Sequence, residues 1–548
     1  MTRFFYLFVF ATLLAQLGLA QNADVHSERV SADMQMLRSI NSSSTIGSMA
    51  VWPQSIYTLT ELANDTASAF ASYITDYYGV ALFSPISGIG ADQNSNRSRF
   101  RVYDYSDSIA RLTIDAAVQI QPGYLSTSTA TSSYLLATPS MRFIGSLNKH
   151  LGYFLDLSNG VRLSGDPVLI AKANPVLGRI TKFMVEDSSF FDQYIGYVQY
   201  QDETMRIRFG REALQFGFSP IDNLVHSIQA PMLDGLLIDV PFSSVRFTMT
   251  HSAANGTDTA GGAVPGKYVA THRLAFDPAP WISVAVNDMI VYWGRGIDFA
   301  YLNPLAFFVS AGLSTAERNA TDNSMLSFDI AVRPVNGTML YGSIFFDDLN
   351  YSTITDTSFN GNTNKWAWQI GASHVISFDR TTTSLLTAEY VHLDPFTYSH
   401  RSMNASYTSF QTPLGYNMQP NSDRLALQYK VWFTPRTSIR LDVDYTRHGE
   451  NILDSTGNIV MGPNPRFPGA ISPIGNVGGD ILRGDGDDLQ GNRFLRGNIS
   501  YQRRINVWFT AEWMPNIFTD VIAGYVNRNG GNTPEQFVSA ALQVRLGY

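Results

Sequence analysis

The strongest constraint on this chain is a two-residue period of apolar side chains. It recurs along most of the sequence and runs to the final residue. Ile439, Leu441, Val443 and Tyr445 alternate with Arg440, Asp442, Asp444 and Thr446. Successive side chains of a β-strand point to opposite faces, so such a segment presents one apolar and one polar face. The same period marks Met205, Ile207 and Phe209, which alternate with Arg206 and Arg208. It also marks Val245, Phe247 and Met249; Leu326, Phe328, Ile330 and Val332; and Leu425, Leu427, Tyr429, Val431 and Phe433. A soluble sandwich alternates too, with its polar face outward and two apolar faces sharing a core. The period alone does not separate the two architectures.

Export and composition do separate them. Arg3, the apolar run Phe4 to Leu14, and the small residues Gly18 and Ala20 have the form of a signal peptide over 1–20, with cleavage before Gln21. No later apolar stretch is long enough for a membrane helix. Charged residues make up only 15% of the chain and aromatics reach 13%. Ala540, Leu542, Val544, Leu546 and Tyr548 close the chain on an aromatic, the form of strand read by the barrel insertion machinery of outer membranes. These features predict an all-β fold. It is a transmembrane antiparallel β-barrel, integral to a bacterial outer membrane and in contact with its lipid. The segment 21–78 reads as a small periplasmic helical element. Val30, Met34, Leu37 and Ile40 have helical spacing, and Thr58 with Glu61 has the spacing of a capping box after Trp52-Pro53. The barrel then takes 79–548, a length that accommodates roughly 16–20 strands. Ala253–Gly266, Ser352–Asn364 and Gly449–Asn492 are rich in turn-forming residues and read as loops.

Several function classes are disfavoured. A net charge of −8 and a pI near 5.6 do not suit nucleic acid. The absence of cysteine removes thiolate catalysis, Cys-ligated zinc and iron–sulfur clusters. The histidines show no metal-ligand spacing, and there is no nucleophile elbow or phosphate-binding glycine loop. No enzymatic activity and no cofactor are therefore expected. Asp485, Asp487 and Asp488 supply oxygen ligands of the kind calcium takes, but without the EF-hand pattern they read as a solvated loop.

Two stretches are denser in Arg and aromatic residues than ordinary strands. One is Arg208-Phe209-Gly210-Arg211-Glu212. The other runs from Asp288 through Tyr292-Trp293-Gly294-Arg295-Gly296 to Tyr301-Leu302-Asn303-Pro304. Aromatic rings stack on sugar faces, and guanidinium forks bind acidic sugars in a bidentate manner. Arg208, Arg211, Glu212, Asp288, Trp293, Arg295, Tyr301 and Asn303 are thus the candidate polysaccharide contacts. The alternative is an internal network in which inward Arg, Asp and Glu neutralise one another.

At these stretches the sequence resembles the capsule assembly proteins of the Wzi type, in the divergent form found in Bacteroidetes-like bacteria. The resemblance rests on Met36-Leu37-Arg38 with Trp52-Pro53, Phe209–Glu212, Tyr292–Pro304, and the late Asp394-Pro395, Tyr398-Ser399-His400, Pro413-Leu414-Gly415 and Arg447-His448-Gly449. It implies a barrel of about 18 strands with a periplasmic helical element. It also implies a non-enzymatic, lectin-like role in holding capsular polysaccharide or exopolysaccharide at the cell surface. A tryptophan-rich W-W-G-P-G element of the enterobacterial branch is replaced here by Gln215-Phe216-Gly217-Phe218. The competing expectation is a general or substrate-specific porin, which needs an open polar lumen.

Overall fold

A computed structural model describes residues 51–52 and 101–547, apart from 108, 148–149, 175–176, 178–188, 203, 258–262, 313–321, 349–363, 378–381, 435, 465–467, 485–492 and 515–516. The expected signal peptide, nearly all of the helical segment 21–78 and the acidic triplet at Asp485 lie outside the described residues. Of segment 21–78, only Val51–Trp52 is described, pairing antiparallel with Gln215–Phe216.

Among the described residues, eighteen strands close into one antiparallel barrel. They are β1 Ala110–Thr127, β2 Thr131–Leu147, β3 Leu151–Ser164, β4 Phe190–Gln201, β5 Arg206–Glu212, β6 Leu233–Phe242, β7 Val245–Thr257, β8 Ala263–Ala279 and β9 Ile282–Tyr292. There follow β10 Asn323–Val332, β11 Thr338–Asp348, β12 Lys365–Ser377, β13 Thr383–Leu393, β14 Ser422–Thr434, β15 Thr437–Glu450, β16 Asn498–Met514, β17 Ile517–Gly530 and β18 Glu535–Gly547. Closure joins β18 to β1, with Phe537 opposite Thr127 and Gly547 opposite Ala117. The short strand Arg101–Ser106 pairs with the foot of β1 on the same edge, just beyond the end of β18.

The pattern of exposure decides between barrel and sandwich. The apolar face of each strand is the exposed one: Phe209 is 69% and Leu425 57% accessible. Their polar neighbours are sealed inside, with Arg208 at 1% and Arg273 at 0%. A soluble protein has the reverse polarity, whereas a barrel whose outer wall meets lipid must have this one. Connections at one end are tight, such as 243–244 and 280–281, and the long ones leave from Tyr292, Leu393 and Glu450 at the other. Short turns mark the periplasmic end and long loops the extracellular end. The expected loop Ala253–Gly266 is shorter than its turn-rich composition suggested, whereas Gly449–Asn492 falls almost wholly in the long connection 451–497. β7 runs to Thr257 and β8 starts at Ala263, with a register shift in their pairing at Ala254/Gly256. β15 runs to Glu450, and a small two-stranded sheet, Gly462–Pro463 with Ile471–Ser472, forms inside 449–492. Sheet hydrogen bonding overrides residue preference here, because each added pair satisfies two buried backbone groups.

Candidate functional site

The long loops do not all project outward. Residues 213–232 and 394–421 turn into the barrel and pack there as a hydrophobic core. Leu214, Phe216, Leu224 and Val225 meet Tyr398, Tyr407, Leu414 and Tyr416, and all of them pack on inward residues such as Leu237, Met289, Phe345 and Val391. Gly217 allows the first loop to turn: it has φ +138°, and a Cβ there would lie 2.0 Å from Asn223 Oδ1. The two loops are tied to each other. Tyr398 Oη donates to the Leu224 carbonyl at 2.8 Å, Tyr407 Oη to the Val225 carbonyl at 2.6 Å, and the Ser227 N–H to the Leu414 carbonyl at 2.8 Å.

Glu389 joins both loops to the wall. Its side chain points inward from β13 and accepts from Tyr341 Oη, Gln369 Nε2 and Tyr416 Oη, each at 2.8 Å, and from Ser219 Oγ. Tyr341 and Gln369 belong to the wall, whereas Ser219 and Tyr416 come from the two loops. Gln369 also donates to the Asp222 carbonyl, and the Asn417 N–H donates to Asp222 Oδ2 at 2.9 Å. Burial raises the Asp222 carboxyl above its ordinary range, with hydrogen bonds from Ser227, Asn417 and Asn223 opposing. Burial also lowers the pKa of His226, next to Phe216, to about 4, so its imidazole is neutral.

The eight sequence candidates fall in three places. Arg208 and Glu212 face the lumen. Arg208 lies 4.2 Å from the Tyr197 ring, donates to Gln199 Oε1 at 2.8 Å and pairs with Glu212. Nearby, Arg206 and Arg246 share Asp239. This is the internal charge network weighed as the alternative. Gly210, between them, allows β5 to approach β4: a Cβ there would lie 2.2 Å from the Gly196 carbonyl oxygen. Arg211 points the other way, outward at the extracellular rim. It pairs with Asp234 and stacks 4.3 Å from the Tyr194 ring.

Of the remaining five, Asp288 lies on β9 and the other four on the loop after it, which folds back over the outside of the barrel. Asp288, in the outward register of β9, accepts from the Phe308 N–H at 2.7 Å. Arg295 makes two 2.7 Å hydrogen bonds to Asp322 and reaches Asp298 at 3.3 Å, between the rings of Tyr292 and Tyr301. Hydrogen bonds and the charge of Asp322 raise the Arg295 pKa against an opposing burial effect. Tyr301 is buried and donates to Asp322. Trp293 is half-buried, with its indole N–H lacking a partner. Asn303 is exposed and turns the chain by accepting from the Leu305 N–H.

Two features were not singled out from sequence. Glu389 stands among apolar residues in Thr383–Leu393, and one inward carboxylate in such a strand was the available signal. Phe410 and Gln411 form the tip of the hairpin joining Thr408–Ser409 to Thr412–Pro413. Both have positive φ, 49° and 58°, where Gly or Asn is usual. Backbone strain of this kind clusters at functional sites, but sequence carries no mark of it. The hairpin sits at the extracellular rim, where the Asn255 N–H donates to Ser409 Oγ at 3.0 Å.

Fold and wall polarity together define an integral outer-membrane β-barrel. The chain matches the family "Capsule assembly protein Wzi" over residues 91–466, and it belongs to that family. A solved structure similar over the whole barrel is that of Wzi from Escherichia coli, described as an outer membrane protein involved in group 1 capsule assembly and a carbohydrate-binding β-barrel. It is 12% identical, with 97% of this chain and 99% of that chain covered and a TM-score of 0.54. OpdK of Pseudomonas aeruginosa is 8% identical, with 79% of this chain and 98% of that chain covered and a TM-score of 0.43. No curated protein matches the chain in sequence.

Proposed function

We propose that this protein retains capsular polysaccharide or exopolysaccharide at the cell surface as a lectin-like, non-catalytic barrel. The observation that carries the reading is the packed interior: loops 213–232 and 394–421 turn into the lumen and pack there around an apolar core latched at Glu389. An apolar core is a poor path for hydrated solutes, so the porin reading is the weaker one. Membership of a capsule assembly family supports the same direction.

The sugar would be met at the extracellular rim. Phe410 offers a ring for stacking and Gln411 an amide for hydroxyl groups, both on a strained tip. Arg211, from the sequence candidates, adds a guanidinium outside the lumen. Asp288, Arg295 and Tyr301 would hold the loop after β9, with Trp293 and Asn303 on it, against the outer wall and away from the sugar. Arg208 and Glu212 would support the wall.

The test is a clean deletion in the native host with a complemented control, measuring cell-bound against shed polysaccharide. Sugar that is still made but moves to the medium supports retention. An unchanged partition removes the proposal, and steady single-channel currents from purified protein would install the porin reading instead.

A further inference from the structure

The loop after β9 lies against the outer wall of the barrel. We propose that residues 293–312 form a strap embedded in the outer leaflet, its outer surface covered by lipid acyl chains. The proposal needs only the outer-membrane location, not the polysaccharide reading.

The floor of the strap is the outward register of β8 and β9. Tyr301 and Phe308 pack on Ala270, Ile290 and Tyr292. Two hydrogen bonds fasten it, from the Phe308 N–H to Asp288 and between His272 Nδ1 and the Ala306 carbonyl at 3.2 Å. Asp288 and His272 are neighbours across the strands and both occupy lipid-facing positions. Bare, they would present a carboxyl group and an imidazole to hydrocarbon, which is costly. The strap buries both.

Depth follows from strand geometry. A strand rises about 3.4 Å per residue and, at a tilt of about 40°, climbs roughly 2.6 Å along the membrane normal, so about ten residues cross the apolar band of about 25 Å. β9 leaves the periplasmic turn at Ile282, which places Asp288 and Ile290 in the outer part of that band and Tyr292 at its outer edge. The strap covers this level. Its far side carries Phe299 at 82% and Leu305 at 91% accessible, with Ile297 and Phe307 also exposed. These continue the exposed apolar wall of Leu274, Phe276, Val286 and Phe328. Its one arginine, Arg295, is paired inside the loop. A surface that is apolar apart from Asn303 and Ser310, internally neutralised and continuous with the lipid-facing wall, matches acyl chains.

The chain has no cysteine, so single sites can be labelled without background. Phe299→Cys and Leu305→Cys carry a nitroxide, with Leu427→Cys on the bare wall and Thr456→Cys in an extracellular turn as references. The full-length protein is reconstituted in phosphatidylethanolamine–phosphatidylglycerol vesicles, and relaxation by oxygen is compared with relaxation by a soluble nickel chelate. The expected oxygen-to-nickel ratio at 299 and 305 matches that at 427 and is several-fold above that at 456. Nickel access like that at 456 overturns the proposal, because the strap is then in water. Protection from both reagents overturns it too, because a second copy of the protein then covers the face.

Discussion

Replacing Glu389 with alanine removes the acceptor shared by Ser219, Tyr341, Gln369 and Tyr416. The donors stay behind in an interior where Ser219, Tyr341, Gln369 and Tyr416 are all buried. Hydrogen bonds to a charged group contribute about 1.5–3 kcal/mol each, but relaxation and the relief of burying a carboxylate offset part of the sum. Breaking a buried charged network by removing one member typically costs about 3–5 kcal/mol. Two of the four donors belong to loops, so much of this cost falls on the loops' attachment to the wall. At about 1.4 kcal/mol per tenfold, that weakens the packed arrangement relative to a loosened one by roughly two to three orders of magnitude. The expected outcome in a planar bilayer is frequent channel opening by Glu389→Ala, where the wild type is largely silent. Glu389→Gln keeps one acceptor and should lie between the two. Its amide would confront either Tyr416 or the other three donors. A Glu389→Ala barrel that inserts, melts at the wild-type temperature and stays silent would refute the latch argument.

Acid should loosen the same loops through His226. Its neutral, buried imidazole has a pKa near 4 against about 6.5 when exposed, so the loosened state gains the proton first as pH falls through this window. Stability present at neutral pH is lost between about 6.5 and 4, to a ceiling of about 3 kcal/mol. The raised Asp222 carboxyl acts in the opposite sense, since its protonation favours the packed state. Conductance recorded from pH 7 to 4.5 should rise for the wild type and not for His226→Phe. Phe410→Ala should reduce binding of the host polysaccharide about five-fold, from a stacking contribution of about 1 kcal/mol, at unchanged melting temperature; unchanged binding removes the hairpin tip from the site. Glu212→Ala leaves Arg208 buried beside an empty position and should cost about 3–5 kcal/mol in thermal unfolding, whereas a combined Arg208→Met and Glu212→Leu change should cost far less. Equal losses in the two would show that packing, not charge, governs that part of the wall.

The sequence by itself determined the architecture. The period of two in segments such as Ile439–Tyr445 is a local property of the backbone, and the few charges and many aromatics follow from meeting lipid on one face. It also indicated the direction of each face: Arg206 and Arg208 turned inward because Ile207 and Phe209 could meet hydrocarbon and they could not. The position of a loop is a different kind of fact. Nothing local distinguishes 394–421, which enters the lumen, from 293–312, which folds over the outer wall; both are rich in aromatic and polar residues. Tertiary structure decided it by the partners available. One loop found Glu389 and the inward aromatic residues, and the other found Asp288 and His272 in lipid-facing positions that needed cover. The same reason divided the Arg-rich candidates among lumen, rim and strap. Adjacent residues on a strand point to opposite sides of a wall, and sequence proximity such as that of Arg208 and Arg211 becomes proximity in function only when the wall does not stand between them.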